Sequence, residues 1–233
     1  MIRLKSAAIA SALLFSSASA FAVTLDVHIQ NLTQGIYFTP ILMAAHDGET
    51  HLFSLGETAS EALATMAEGG NIAPLSMLAT EAGASVLENP AEGMLAPAMS
   101  ASASDWDVGS QMYLSLSAMI LPSNDGFVGL DAWPIPSQAG TYTIYLNAYD
   151  AGSEANDEII NGGGALGTPG IPVDPGMRGG AGATGVTEAE PNETVHIHPG
   201  NLGDSDPNGG ISDVDSTVHR WLNPIAKLTI TVK

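Results

Sequence analysis

The chain has no cysteine among its 233 residues. That single absence excludes a disulfide scaffold, a thiolate metal centre and a cysteine nucleophile. Basic residues are also scarce: six Lys and Arg face 25 Asp and Glu, for a formal charge of −19. Such a surface repels phosphate backbones and anionic membranes and attracts divalent cations, which rules out nucleic acid as a partner. The same acidity also serves plain solubility. Catalytic signatures are missing as well. The sequence contains no Gly-x-Ser-x-Gly elbow, no phosphate-binding loop and no His-Glu-x-x-His, so it reads as a non-enzyme. The only long apolar stretch, Ala7 to Phe15, is shorter than the roughly 20 residues a membrane helix needs.

That stretch belongs to a leader. Arg3 and Lys5 precede it and Ala20-Phe21-Ala22 follows as a small-x-small site, so residues 1–22 read as a secretory signal peptide. Its removal takes away two basic residues and no acid, moving the charge from −19 to −21. The protein is therefore expected to be exported, to the periplasm or beyond. Residues 23–233 are expected to form one domain with no membrane span.

Within that domain, Val23, Leu25, Val27 and Ile29 alternate with polar neighbours as a half-buried strand, and Ile36 to Ala44 reads as its returning partner. Ser60 to Glu68 is helical in composition and stops at Gly69-Gly70. Asn71 can cap a second short helix reaching Glu81, with Pro74 in its first turn. Residues 83–104, rich in Ala, Ser, Pro and Gly, read as irregular. Met112 to Leu121 is the clearest and most central strand, Val195 to His198 is a short one, and Ile225 to Val232 closes the fold. Residues 162–191 are rich in glycine and proline with few large apolar side chains, and read as a long mobile loop. The fold class is all-β: an antiparallel β-sandwich with one or two short helices and long rim loops.

Two acidic loops bracket a strand-like run. Asn124-Asp125-Gly126 precedes Phe127 to Leu130, Thr141 to Ala148 alternates as a strand, and Tyr149-Asp150-Ala151-Gly152-Ser153-Glu154 follows it. If the two runs pair, Asp125 and Asp150 meet at one rim. Carboxylates so gathered repel unless a hard cation sits between them, and calcium prefers such oxygen donors. The competing reading is turn chemistry, since Asn-Asp-Gly and Asp-Ala-Gly are ordinary turn formers. Asp131 and Glu154 are nearby carboxylates that can add ligands or stay solvated.

The run Leu121 to Asp131, then Tyr149 to Glu154, then Asn223 to Ile230, with Glu57 to Gly70 upstream, resembles the spondin domain family, the N-terminal module of F-spondin and mindin. The resemblance extends from about Val23 to Lys233. It implies a β-sandwich related to calcium-dependent phospholipid-binding domains, and a Ca2+ ion held by acidic rim residues. It carries the metal ligands onto Asp125 and Asp150, with Asp107 as the upstream third and Asp105 as its alternative. Gly126 stands where the family has an aromatic residue, which implies looser packing beside Asp125.

Two further candidates are independent of that resemblance. Asp204-x-Asp206-x-Asn208-Gly209, with Asp215 at the twelfth position, fits the opening of a calcium loop. Asp replaces the usual final Glu, no helices flank it, and any surface loop has this composition. His196 and His198 lie two apart on a strand and so share a face; with His219 they can bind copper or zinc. Solvent-facing histidines are the plainer alternative. Three function classes follow: a non-catalytic calcium-dependent recognition or adhesion module for a cell-surface, glycan or protein ligand; a copper or zinc binding protein; and an enzyme, for which only the paired carboxylates speak.

Overall fold

The computed structural model describes residues 22–233. The expected leader therefore lies outside the described residues, apart from Ala22. In chain order the elements are β1 (Val23–Asn31), β2 (Tyr37–Phe38), β3 (Leu42–His46), α1 (Glu61–Gly69), α2 (Ala73–Glu81), β4 (Ser85–Glu88), β5 (Ser100–Gly109), β6 (Tyr113–Leu121), β7 (Gly126–Pro134), β8 (Gly140–Asp150), β9 (His196–Ile197) and β10 (Ala226–Val232). Among the described residues no helix is long and apolar enough to cross a membrane.

The strands form one antiparallel sheet in the order β4-β3-β6-β7-β8-β10-β1-β5, with β2 added on β6 and β9 on β8. β8 joins its two halves: residues 140–146 pair with β10, then residues 147–150 pair with β7. The free edges also approach each other. Ser85 Oγ donates to the Asp107 carbonyl at 2.9 Å and accepts from Trp106 Nε1 at 3.0 Å, linking β4 to β5. The all-β, few-helix class is as expected. The expected sandwich holds in part: its two halves are continuous through β8, in one sheet that nearly closes on itself like a barrel.

Alternation sets the inner face. Leu25, Val27 and Ile29 of β1 and Leu228, Ile230 and Val232 of β10 enter the main core with Leu114, Leu116 and Ile120 of β6. Each fully buried aliphatic side chain of this kind contributes about 1.5–3 kcal/mol. β6 is buried on both faces because its outer face, which carries Ser115 and Ser117 beside Met119 and Leu121, is covered too. Leu63, Met66 and Ala67 of α1 pack with Leu42, Met119 and Phe127 in a second core. Ser60 caps α1 by accepting from the Leu63 amide, and Gly70 ends it in the left-handed conformation at φ 71°.

Two local expectations fail for physical reasons. Residues 36–44 do not return against β1; Pro40 splits the run, and both β2 and β3 pair with β6. Within the stretch 83–104 expected to be irregular, residues 85–88 and 100–104 are strand, because β3 partners the first and β1 the second, a segment of Ser and Ala with little strand preference of its own.

The chain from 162 to 191 carries no helix or strand, yet it is anchored rather than free. Buried Asp174 accepts from the amides of Gly176, Arg178 and Gly179 at 2.9, 2.6 and 2.6 Å. Buried Asp213 accepts from Ile160 and Ala183 at 3.0 and 3.1 Å. A scarcity of large apolar residues suggested mobility; carboxylate-to-amide bonds replace the missing core.

Candidate metal centre

Gly126 pairs with Asp150, so the start of β7 and the end of β8 share one rim. Asp125 and Asp150 are both fully buried there. The turn 151–154 wraps around Asp125, whose Oδ2 accepts from the Ser153 amide at 2.8 Å, the Ser153 hydroxyl at 3.2 Å and the Glu154 amide at 3.1 Å. Its Oδ1 has no partner. Asp150 accepts from the Gly152 amide and from Asn156 Nδ2, each at 2.8 Å. Gly152 is obligatory at this bend: its φ is 67°, and a Cβ there would meet the backbone of Asn192 and Thr194 at 2.7 Å.

Glu154 is also buried, and its Oε2 accepts long bonds from Gly170 N at 3.3 Å and Asn124 Nδ2 at 3.4 Å. Its Oε1, like Asp125 Oδ1, is unpartnered. Asn124 ties the loops together, donating to Asp157 at 2.8 Å and accepting from the Glu158 amide at 3.2 Å. The packing beside Asp125 is tight, contrary to the expectation drawn from Gly126. A Cβ at Gly126 would meet Ser123 Oγ at 2.7 Å and the His198 ring at 3.0 Å, so His198 takes the available space.

Electrostatics marks these acids as under-compensated. Burial, then the charge of Asp150, pushes the Asp125 carboxyl up to about 7. Burial, then the charge of Glu68, pushes Glu154 up to about 8. Burial, then the charge of His196, holds His198 down to about 3, so its ring is neutral.

The histidine trio is split. His196 Nε2 and His198 Nε2 each lie 3.9 Å from Asp150 Oδ2. His219 instead faces Asp174 at 3.5 Å. Ring partners separate them further. His198 and His219 accept backbone amides at Nδ1, from Gly200 at 3.0 Å and Asp215 at 3.2 Å, which leaves the proton of a neutral ring on Nε2. Neither then has an Nε2 lone pair for a metal. His196 has its Nδ1 at 2.8 Å from the Thr194 carbonyl, which fixes Nδ1–H and frees Nε2.

Other sequence candidates lie elsewhere. Asp107 pairs with Thr24 at the start of β1, whereas Asp150 lies beyond Leu146, in the row of Ala226 and Asn31 at the end of β1. At ~3.3 Å per residue the two acids are separated by on the order of 30 Å along the strands, so Asp107 is not a third ligand. Asp105 bonds Lys233 at 2.7 Å, near the Asp107 end of the sheet. Asp131 bonds His51 at 2.8 Å. In the loop 204–215, Asp204 accepts from the amides of Asp206, Ile211 and Ser212, Asp206 from Asn208, and Asp215 from Thr217. These carboxylates cap turns, the plainer role that the composition of the loop also allowed for Asp204, Asp206, Asn208 and Asp215. Among the described residues, no three His, Asp or Glu side chains stand close enough around one point to hold an ion without moving.

Sequence reasoning placed Glu154 beside the pair and overlooked Asn124, Ser153 and Asn156, which orient it. Asn-Asp-Gly signalled a turn, and nothing local showed that Asn124 reaches across to Asp157 and Glu158. Glu68 was also missed, because helix α1 brings it to the rim from far away in sequence.

The geometry coincides with a family boundary. No curated protein matches the chain. The family model Spondin_N matches residues 28–158, from within β1 to just past Glu154. The match takes in Asp125, Asp150 and Glu154 and leaves out His196 and His198. It covers more than half of the chain, which therefore belongs to the spondin N-terminal domain family.

Proposed function

We propose that the protein is an exported, non-catalytic recognition module whose rim is held together by calcium bound to Asp125, Asp150 and Glu154. One observation carries this reading: two buried carboxylate oxygens, Asp125 Oδ1 and Glu154 Oε1, have no partner and lie beside a third buried acid. Buried carboxylates without donors are costly, and a divalent ion converts their mutual repulsion into attraction. The donors are all oxygen, as calcium requires. Calcium there would fix the turn 151–154 against β7 and stiffen the loops around it. The full burial of Asp125 and Asp150 speaks for this role over catalysis, since neither reaches a substrate. The ligand on a cell surface, a glycan or a protein would be met by the loops the ion stiffens.

Thermal unfolding after chelation, with calcium titrated back, tests the site. A dissociation constant of about 10⁻⁴ to 10⁻³ M, usual for extracellular modules, gives roughly 1.4–2.7 kcal/mol of stabilisation at 10 mM ion. That corresponds to a rise in Tm of about 3–10 °C. The double substitution Asp125→Asn, Asp150→Asn should remove the rise. A wild-type protein indifferent to calcium would falsify the reading.

A further inference from the structure

We infer that Asn208 is a site of spontaneous modification, where the chain converts itself to isoaspartate and so loosens its own glycine-rich segment. The sequence contains two Asn-Gly pairs, Asn161-Gly162 and Asn208-Gly209. Such a pair favours ring closure, because glycine leaves the following amide nitrogen unshielded and its backbone least restricted. Both asparagines are exposed, so access to water does not separate them. Their hydrogen bonds do.

Asn161 is held at the atoms the reaction uses. Its Oδ1 accepts from the Gly163 amide at 3.0 Å, and its Nδ2 donates to the Pro169 carbonyl at 3.1 Å. The attacking nitrogen, that of Gly162, donates to the Ile171 carbonyl at 3.3 Å. The carboxamide is also packed against Gly170, where a Cβ would overlap its Oδ1 and Nδ2. Turning it onto the Gly162 nitrogen breaks all three bonds.

Asn208 is free where Asn161 is bound. Its backbone amide donates to Asp206 Oδ1 at 3.0 Å. Among the described residues, no hydrogen bond holds its carboxamide or the amide of Gly209. A Cβ at Gly209 would meet nothing within 4 Å beyond its chain neighbours, so the space beside the bend is open.

The steps balance with water as the only co-reactant. The Gly209 nitrogen gives up its proton and bonds to the side-chain carbonyl carbon of Asn208. The carboxamide C–N bond breaks, and its nitrogen leaves as ammonia. Water then opens the cyclic imide: at the backbone carbonyl it leaves isoaspartate, at the side-chain carbonyl aspartate. Either product adds a carboxylate to a loop that already carries Asp204 and Asp206. Isoaspartate also lengthens the backbone between the Pro207 and Gly210 carbonyls, which accept from the Ala181 and Thr184 amides, each at 3.2 Å. Those two bonds tie residues 181–184 to the loop, and a change of spacing between their acceptors strains both.

Peptide mapping by mass spectrometry tests the inference on the full protein incubated at pH 8, folded and, in parallel, unfolded in urea. In the folded protein Asn208 should convert at least about tenfold faster than Asn161, which must first open three hydrogen bonds. In urea the two should convert at similar rates. Asn208→Gln should stop the change in its peptide, because the longer side chain closes the ring far more slowly. Hydrogen exchange at Ala181 and Thr184 should speed up in aged wild type and stay constant in aged Asn208→Gln. Folded protein in which Asn161 converts as fast as Asn208 overturns the inference, as does an Asn208 that converts in urea and not in the fold. Aspartate without isoaspartate overturns the ring route, since direct hydrolysis gives that product alone. Unchanged exchange at Ala181 and Thr184 in converted protein overturns the loosening.

Discussion

Two groups of buried acids lie a short distance apart in sequence and behave in opposite ways. At the rim, Asp125 and Glu154 are pushed up to about 7 and about 8 and each keeps an oxygen without a partner. In the loops, burial would also push Asp174 up, but His219, 3.5 Å away, and the amides of Gly179 and Arg178 outweigh it and bring it down to about 2. Glu158 is satisfied in the same way by the amides of Leu202 and Gly203, at 2.6 and 2.9 Å. Burial is common to both groups, so it cannot be what distinguishes a site from a scaffold. The difference lies in the donors: Asp174 and Glu158 have donors on both carboxylate oxygens, whereas Asp125 and Glu154 have donors on only one and face further acids.

The largest expected effect comes from making the same substitution in both groups. In Asp174→Asn, one side-chain position turns from acceptor to donor among three amides and a histidine, leaving buried N–H groups unsatisfied at about 1–3 kcal/mol each. A loss near 3 kcal/mol lowers Tm by roughly 6–12 °C. Asp125→Asn keeps an acceptor for the Ser153 and Glu154 donors and places its NH2 at the oxygen that has no partner. In chelated protein at pH 8 its Tm should equal or exceed that of wild type. Equal losses from the two variants would erase the distinction between the groups.

A smaller effect, with the sign opposite in the two groups, is expected from pH. The folded values of Asp125 and Glu154 lie above their ordinary values of 3.8 and 4.5. Between those limits the folded state holds protons that the unfolded chain has released, so stability falls as pH rises through about 7 to 8. Asp174 is shifted the other way, and its contribution is present above about 4 and lost as pH falls toward 2. Chelated protein should therefore show a Tm maximum on the acid side of neutrality. Calcium should flatten the alkaline limb, and Asp174→Asn should flatten the acid limb. A calcium-free Tm that rises steadily from pH 5 to 8 would contradict the assignment of Asp125 and Glu154 as under-compensated acids.

How legible these regions were follows from the range of the interactions. Alternation exposed β1, β6, β8 and β10 because the signal is carried by the strand's own residues. The approach of Asp125 to Asp150 was legible for the same reason, as both sit at the ends of recognisable strands. β5 was not, since Ser and Ala become a strand only when β1 offers a partner. The anchoring of residues 162–191 was hidden as well. Its composition lacks a core, and the acids that fasten it, Asp174 and Asp213, look like any others in a chain with 25 Asp and Glu. The histidines show the limit most plainly. Spacing placed His196 and His198 on one face, but only Thr194 and Gly200 reveal which ring has a free nitrogen.

The smallest expected effect separates sequence order from spatial order. Asp107 was assigned as a ligand because it precedes the strand leading to Asp125, and the fold puts it at the far end of the sheet. Its Oδ1 accepts from the Gly109 amide at 2.8 Å, a bond that an asparagine oxygen can keep. Asp107→Asn should therefore shift stability by no more than about 0.5 kcal/mol and leave calcium affinity within twofold of wild type. Asp150→Asn, three residues after the switch to β7 pairing at Asn147–Gly129, should abolish calcium binding in the same assay. A tenfold loss of calcium affinity in Asp107→Asn would require that Asp107 reach the rim. That in turn would mean that the β1–β5 register, in which Asp107 pairs with Thr24, is not the one the protein uses. The measurement thus tests the strand pairing through the ion it leaves untouched.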